Sequence, residues 1–289
     1  MKKRSFVLPN LVATVRFVED EKDVKLVLYS PDEATLKARL KRRYKERIEI
    51  KSIGPYDFAA GWGKVAQGKK KAVKLARAKG QKFDFSKNSI WGELKVYLFD
   101  VFDQHCAYCE CDLLSDSFGG VEHYRPKNPV LDEVGHPGYH WLAYEPTNYL
   151  PTCSRCNTTK SNFFPLAPHS LRASAPGKEA AEQPLLLNPF FLGGEVADHL
   201  EFTFEVDPDK LGGVAKGRTP EGQASIERLG LNREDLVPKR AYEQNRAVGD
   251  YFHQRAAGMS PPPALEQVKA GLRPFSAATL DAFRRLAKP

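Results

Sequence analysis

The sequence predicts an α+β fold with a mostly helical C-terminal part. Three features predict it. Two short N-terminal segments alternate apolar and polar residues at period two, as half-buried strands do. Two Cys-x-x-Cys turns stand 43 residues apart in the middle of the chain, and helical periodicity dominates from Ala224 onward.

The elements follow in order. Val24-Lys25-Leu26-Val27-Leu28-Tyr29 alternates and reads as a strand. Ser30-Pro31-Asp32-Glu33 is a helix start, because acids in a first turn meet the positive end of the helix dipole. Ala34 to Arg47 then reads as a helix crowded with Lys37, Arg39, Lys41, Arg42, Arg43, Lys45 and Arg47. Ile48 to Ile53 alternates again and stops at the Gly54-Pro55 breaker. Trp91 to Phe102 reads as an amphipathic helix feeding into the first cysteine pair. Pro184 to Pro189 and Leu200 to Phe204 read as extended. Helices are expected over Ala224–Leu236 and Leu236–Gln254, and Ser260-Pro261-Pro262-Pro263 breaks to a last short helix ending near Ala287.

The net charge of +8 is unevenly spread, with 24 Lys/Arg against 12 Asp/Glu in residues 1–100 and 20 against 24 in the rest. The stretch from Lys64 to Lys82 carries Lys64, Lys69, Lys70, Lys71, Lys74, Arg77, Lys79 and Lys82 without one acid. Like charges at that density repel one another unless a polyanion lies nearby, and phosphate neutralisation supplies most non-specific nucleic-acid affinity. Residues 1–90 are therefore expected to be a basic extension that touches nucleic acid, with Lys69, Lys70 and Lys71 as contacts; the competing reading is a solvated loop and helix face. Nothing reads as a membrane span, and the basic Met1-Lys2-Lys3-Arg4-Ser5 is followed by too short an apolar run for a signal peptide, so the expected location is the cytoplasm.

Cys106-Ala107-Tyr108-Cys109 and Cys153-Ser154-Arg155-Cys156 each place two thiolates on one tight turn. Two such turns make a tetrahedral four-sulfur site of the kind that holds structural Zn²⁺, and metal is favoured over disulfides in a chain without an export signal. Cys111 is the leftover thiol, and Cys109-Glu110-Cys111 leaves its exclusion from the ligand set open. Between the knuckles lie Val121-Glu122-His123-Tyr124-Arg125-Pro126-Lys127 and Thr147-Asn148-Tyr149-Leu150-Pro151-Thr152, and after the second comes Asn157-Thr158-Thr159-Lys160. His136 and His140, among aromatics, are expected to pack or cap. His105, beside the first knuckle, is a candidate contact to a ligand.

This order of paired cysteines, acid-His, Asn-x-Leu, and Cys-x-x-Cys-Asn-x-x-Lys resembles the HNH endonucleases. The resemblance implies a zinc-braced ββα-metal nuclease core with a basic α+β N-terminal extension. His136 to Tyr144, Asn162-Phe163-Phe164-Pro165-Leu166 and Leu229-Gly230-Leu231-Asn232-Arg233 extend it to a subgroup. That subgroup includes proteins similar to the nuclease subunit of the Septu anti-phage system, which works with an ABC-type ATPase. The likeness covers roughly residues 90–240, which sets the expected domains at 1–90, 91–240 and a helical segment at 241–289. By this resemblance His123 is the general base that activates water, Glu122 and Asn157 hold a catalytic Mg²⁺ or Mn²⁺, and Asn148 holds the hairpin loop and orients the base. Arg125, Lys127 and Lys160 are plausible phosphate clamps, since guanidinium and ammonium offset the charge that grows in phosphoryl transfer.

The implied activity is hydrolysis of nucleic-acid phosphodiesters, with DNA favoured. Structured RNA such as tRNA is the alternative target. Two other readings stay open: a zinc module that binds while another subunit cuts, and a nuclease silent until a partner ATPase assembles with it.

Overall fold

The computed structural model describes residues 6–19, 21–114, 119–192, 195–205 and 212–286. The basic Met1–Ser5 run and position 287, where the last helix was expected to end, lie outside the described residues.

Both alternating segments are strands, and a third lies between them. β1 (Leu11–Phe17) pairs antiparallel with β2 (Asp23–Leu28) and with β3 (Ile48–Pro55), giving the order β2-β1-β3. The central strand β1 has no counterpart among the expected elements. Its period-two burial of Leu11, Ala13 and Val15 is in the sequence, but Arg16 and the short apolar length mask it. Asp32 caps α1 (Glu33–Tyr44) by accepting from the Thr35 backbone at 2.7 Å, as the helix start predicts. Leu36 and Leu40 of α1 are fully buried with the strand residues in one apolar cluster.

The lysine run forms α2 (Lys64–Ala78), which buries only Ala66 and Val73. A 3₁₀ turn at Trp91–Leu94 leads into α3 (Lys95–Val101). Asp100 of α3 is ion-paired with Arg39 at 3.1 Å and Arg43 at 2.8 Å, so two of the basic side chains of α1 tie the N-terminal sheet to the helix that delivers the first knuckle.

The segment between the knuckles carries a hairpin of β4 (Gly120–His123) and β5 (Tyr149–Thr152), with Glu122 opposite Leu150 and His123 opposite Tyr149. Helix α4 (Ser154–Lys160) follows and carries Asn157, where the hairpin-then-helix expectation put it. The connection between the strands is packed against itself at Gly138. Its φ is +83°, and an added Cβ would lie 2.0 Å from the Asn128 carbonyl oxygen. Only glycine fits there.

The C-terminal part contains α5 (Val196–His199), a two-stranded sheet of β6 (Leu200–Phe202) and β7 (Ala215–Gly217), α6 (Pro220–Leu229), α7 (Val237–Ala256), α8 (Pro263–Ala270) and α9 (Ser276–Leu286). Three expectations need correction. The first long helix runs from Pro220 to Leu229, not Ala224 to Leu236, because Thr219 caps its start and Gly230 ends it in the left-handed region. The last segment is two helices, since Gly271 closes α8 in the same way. Pro184 to Pro189 is not a strand; its only ladder contact among the described residues is a single bridge from Pro184 to Leu166.

Two further apolar clusters complete the interior. One joins Trp62 and Val73 to Leu94, Tyr97, Leu98, Tyr144 and Tyr149. The largest surrounds the cysteines and extends through Leu150 and Phe164 to Leu229, Leu236 and Phe275. No helix among the described residues is long and apolar enough to cross a membrane.

Candidate metal centre and active site

The two knuckles meet. The sulfurs of Cys106, Cys109, Cys153 and Cys156 all lie within 4.8 Å of one another, and all four residues are buried. Cys109 and Cys153 are 3.8 Å apart, which is about the edge of a tetrahedron whose centre holds Zn²⁺ with bonds of roughly 2.3 Å. Backbone bonds hold the knuckles in place. The Ala107 amide donates to the Pro151 carbonyl at 2.8 Å, and the Cys153 amide donates to Cys106 Sγ at 3.4 Å. Cys153 is also the cap of α4, accepting from the Cys156 amide at 3.4 Å. The four thiols share protons through their contacts: hydrogen bonds, from Cys106 first, lower Cys153 and Cys109, while burial first raises Cys106 and hydrogen bonds, from Cys106 first, raise Cys156. A metal ion bound among them would take the place of those protons. The donors, their spacing and their charge fit zinc. Cys111 is buried beside them but outside the group of four.

On β4 the side-chain alternation sends Glu122 and His123 to opposite faces. Glu122 faces α4 and accepts from Lys160 Nζ at 2.7 Å; the same ammonium donates to the His123 carbonyl at 3.0 Å. Lys160 is wholly buried. Asn157 lies on the same seam, its amide nitrogen 4.0 Å from the point where a Cβ on Gly120 would stand. It makes no side-chain hydrogen bond among the described residues.

His123 faces an aromatic wall. Its ring sits edge-on to Trp91 at 4.8 Å and to Tyr149 at 5.0 Å between centroids. Its Nε2 is 3.0 Å from the Ala143 carbonyl oxygen, which also accepts from the Tyr149 hydroxyl at 2.7 Å. The residue is 3 % exposed, and burial, reinforced by Lys127, holds its pKa well below the ordinary histidine value.

Asn148 is a staple. Its side chain accepts from the Arg125 amide at 2.8 Å and donates to the carbonyls of Arg125 (2.9 Å) and Leu142 (3.3 Å). It therefore joins the end of β4 to the loop that carries Ala143.

The basic candidates divide. Lys127 lies with its ammonium 4.9 Å from the Trp91 ring, and burial lowers its pKa. It lines an open cleft of about 580 Å³ together with Lys82, Phe83, Phe85 and Trp91. Arg125 is committed inward: its Nε donates to Glu182 at 2.8 Å, and the guanidinium packs on Tyr124, Tyr139 and Phe164. On α2, Lys69 donates to Asn88 at 2.8 Å, Lys70 pairs with Glu145, and Lys71 is exposed. His136 and His140 pack and cap as expected, on Ala173 and Gly138 carbonyls at 3.0 and 3.3 Å.

Sequence reasoning did not foresee the Lys160–Glu122 pair, although Asn157 and Lys160 stand three apart and so share a helix face. Nor did it foresee Trp91, Ala143 and Tyr149 as the walls of the His123 site; a carbonyl and two aromatics leave no motif.

Comparison with known proteins gives two relatives. The chain is 37% identical over 155 residues to Septu protein PtuB of Bacillus mycoides (strain KBAB4), an overlap of 51% of this chain and 50% of that protein. It is 36% identical over 83 residues to Septu protein PtuB of Bacillus thuringiensis, 28% of this chain and 29% of that one. The chain thus spans half or less of the length of the curated relatives it matches. No family model matches it, and no solved structure does.

Proposed function

We propose that the chain is a metal-dependent endonuclease of HNH type that hydrolyses nucleic-acid phosphodiesters, DNA by preference, as a subunit of a Septu-like anti-phage defence system. The observation that carries this is the tautomer of His123. A carbonyl oxygen only accepts, so the 3.0 Å contact with Ala143 requires the proton on Nε2. Nδ1 is left with its lone pair, and the depressed pKa keeps the ring neutral at pH 7. A neutral imidazole in a fixed orientation is the form that takes a proton from water. Homology to the Septu PtuB proteins supports the defence role.

Glu122 and Asn157, a carboxylate and an amide oxygen on one seam, suit a hard divalent ion such as Mg²⁺ or Mn²⁺. When bound, that ion would stabilise charge on the scissile phosphate and the leaving 3′ oxygen. Asn148 keeps the Ala143 carbonyl in register with His123. Lys127, Lys82 and the exposed Lys71 and Lys74 would receive the phosphates. Arg125 and Lys160 join them only if Glu182 and Glu122 release them. Lys69 and Lys70 would likewise have to leave Asn88 and Glu145.

Two observations favour a nuclease silent until a partner joins; the likeness to Septu PtuB makes an ABC-type ATPase the proposed partner. His123 is almost wholly covered, and the Lys160 ammonium sits on the carboxylate that would bind the ion.

The test is cleavage of supercoiled plasmid and of tRNA side by side with Mg²⁺ or Mn²⁺. The chain is assayed alone and co-purified with its ATPase, each beside His123→Ala. Plasmid nicking lost in the variant supports the DNA reading, and cleavage confined to tRNA moves the substrate to RNA. Activity only in the complex supports the silent subunit. Nucleic-acid binding without cleavage in any arm would sink the nuclease reading in favour of a binding module.

A further inference from the structure

The segment Leu229-Gly230-Leu231-Asn232-Arg233 has no part in the chemistry above, yet it is built onto the four-cysteine centre. Gly230 ends α6 at φ 59°, ψ 46° and turns the chain back. Asn232 pins the turn to β7, accepting from the Ala215 amide and donating to the Ala215 carbonyl, both at 2.8 Å. The Leu229 carbonyl oxygen lies 3.9 Å from Cys156 Sγ, which places the end of α6 against the centre. The turn thereby presents the Arg233 guanidinium to the sulfurs. Nη1 donates to Cys156 at 3.7 Å, and Nη2 donates to Cys109 at 3.7 Å and Cys153 at 4.0 Å. The Gly230 carbonyl and the Asp235 carboxylate hold the same side chain from behind, at 3.3 and 3.1 Å. The fourth sulfur, Cys106, takes its hydrogen bond from the Cys153 amide.

Charge explains why an arginine belongs there. Four thiolates around Zn²⁺ leave two negative charges in a buried place, which is costly unless cations or N–H donors compensate. A planar guanidinium presents several donors at once, which an ammonium cannot. A second buried cation lies close by: Arg240 of α7 is 2 % exposed and donates to the carbonyls of Gly213 and Leu231, the latter in the same turn.

We infer that Arg233 is a positioning residue of the zinc centre, a guanidinium cap on three of its four thiolates that sets how firmly the ion is kept. The inference rests on the four cysteines holding zinc and is independent of the nuclease reading.

The full-length protein, Arg233→Met, Arg233→Lys and a surface control, Arg218→Gln, are assayed for bound zinc by mass spectrometry. Zinc transfer to the indicator 4-(2-pyridylazo)resorcinol is then followed in time. Wild-type protein without one zinc per chain would overturn the premise itself. Arg233→Met is expected to release zinc about tenfold faster or more, the usual effect of removing a hydrogen-bond partner of a ligand. Arg233→Lys should fall between, and Arg218→Gln should match wild type. In cobalt-substituted protein the thiolate-to-metal band of Arg233→Met should move to longer wavelength, because sulfur lone pairs rise in energy when they lose N–H donors. Wild-type release with an unmoved band overturns the cap. If Arg233→Met does not fold, Arg233→Lys decides alone, and wild-type release from it overturns the cap equally.

Discussion

At the residue scale, His123 has two properties that pull on the pH profile in opposite directions. Burial lowers its pKa, so it stays a neutral base at pH values where an exposed histidine would be half protonated. Cleavage governed by this base should therefore hold its rate as pH falls from 7 to 6, read as kcat against pH. The unfolded chain has no such burial and takes up a proton near pH 6.5. The unfolded state then binds more protons than the folded one, so stability falls as pH drops through that value. In His123→Gln the decline should be shallower in a urea titration series between pH 7.5 and 5.5; an unchanged slope would remove His123 as its source. Lys160→Met leaves the Glu122 carboxylate buried without its ammonium. It should cost about 3 kcal/mol of stability, the usual effect of removing one partner of a buried pair, measured by the urea midpoint. If Lys160 acted only as an outside clamp on phosphate, stability would hold and only substrate affinity would fall. Gly138→Ala, forced against the Asn128 backbone at positive φ, should destabilise by more than about 1 kcal/mol in the same measurement.

At the scale of elements, what was legible in the sequence is what local chemistry writes. Asp32 before a helix and two cysteine turns around Glu122-His123 are each set by a few adjacent residues, and the structure has elements at both. The Gly54-Pro55 breaker did not act as expected: β3 runs through it, with Gly54 opposite Val12 and Pro55 opposite Leu11 on the central strand. The C-terminal boundaries were misplaced because Thr219 and Gly230 are weak signals beside the apolar residues that continue past them into Leu231 and Leu236. Strand β1 escaped because Arg16 and its short apolar length mask its alternation, and because its second partner, β3, lies far along the chain, beyond any local window. The His123 pocket escaped for the same reason: Trp91, Ala143 and Tyr149 are joined only by the fold. The link between α1 and α3 is also invisible locally, since Arg39 and Arg43 look like part of a solvated charge run. Asp100→Ala should cost about 3 kcal/mol by stranding two cations against a buried surface, scored by thermal or urea unfolding. A loss within a few tenths of a kcal/mol would mean that the N-terminal sheet is held by apolar contact alone.

At the scale of the whole molecule, the four cysteines proposed to hold zinc lie within the largest apolar cluster, beside Leu150, Phe164, Leu229 and Phe275. Stripping the ion with a strong chelator should therefore loosen the C-terminal half together with the hairpin, visible as early protease cleavage in both; cleavage confined to 106–156 would mean that the cluster is independent of the metal. Helix α3 has a further consequence. In seven residues it gives Val96 to the N-terminal sheet, Tyr97 and Leu98 to the middle cluster and Phe99 to the cysteine cluster, while Asp100 takes the arginines of α1. No face of it is spare, so it cannot open without disturbing all three cores. Its backbone amides should exchange with deuterium only through global unfolding, slower than those of the longer but more lightly anchored α2. Those two turns of helix couple the three cores, so that a disturbance of any one of them is felt in the others.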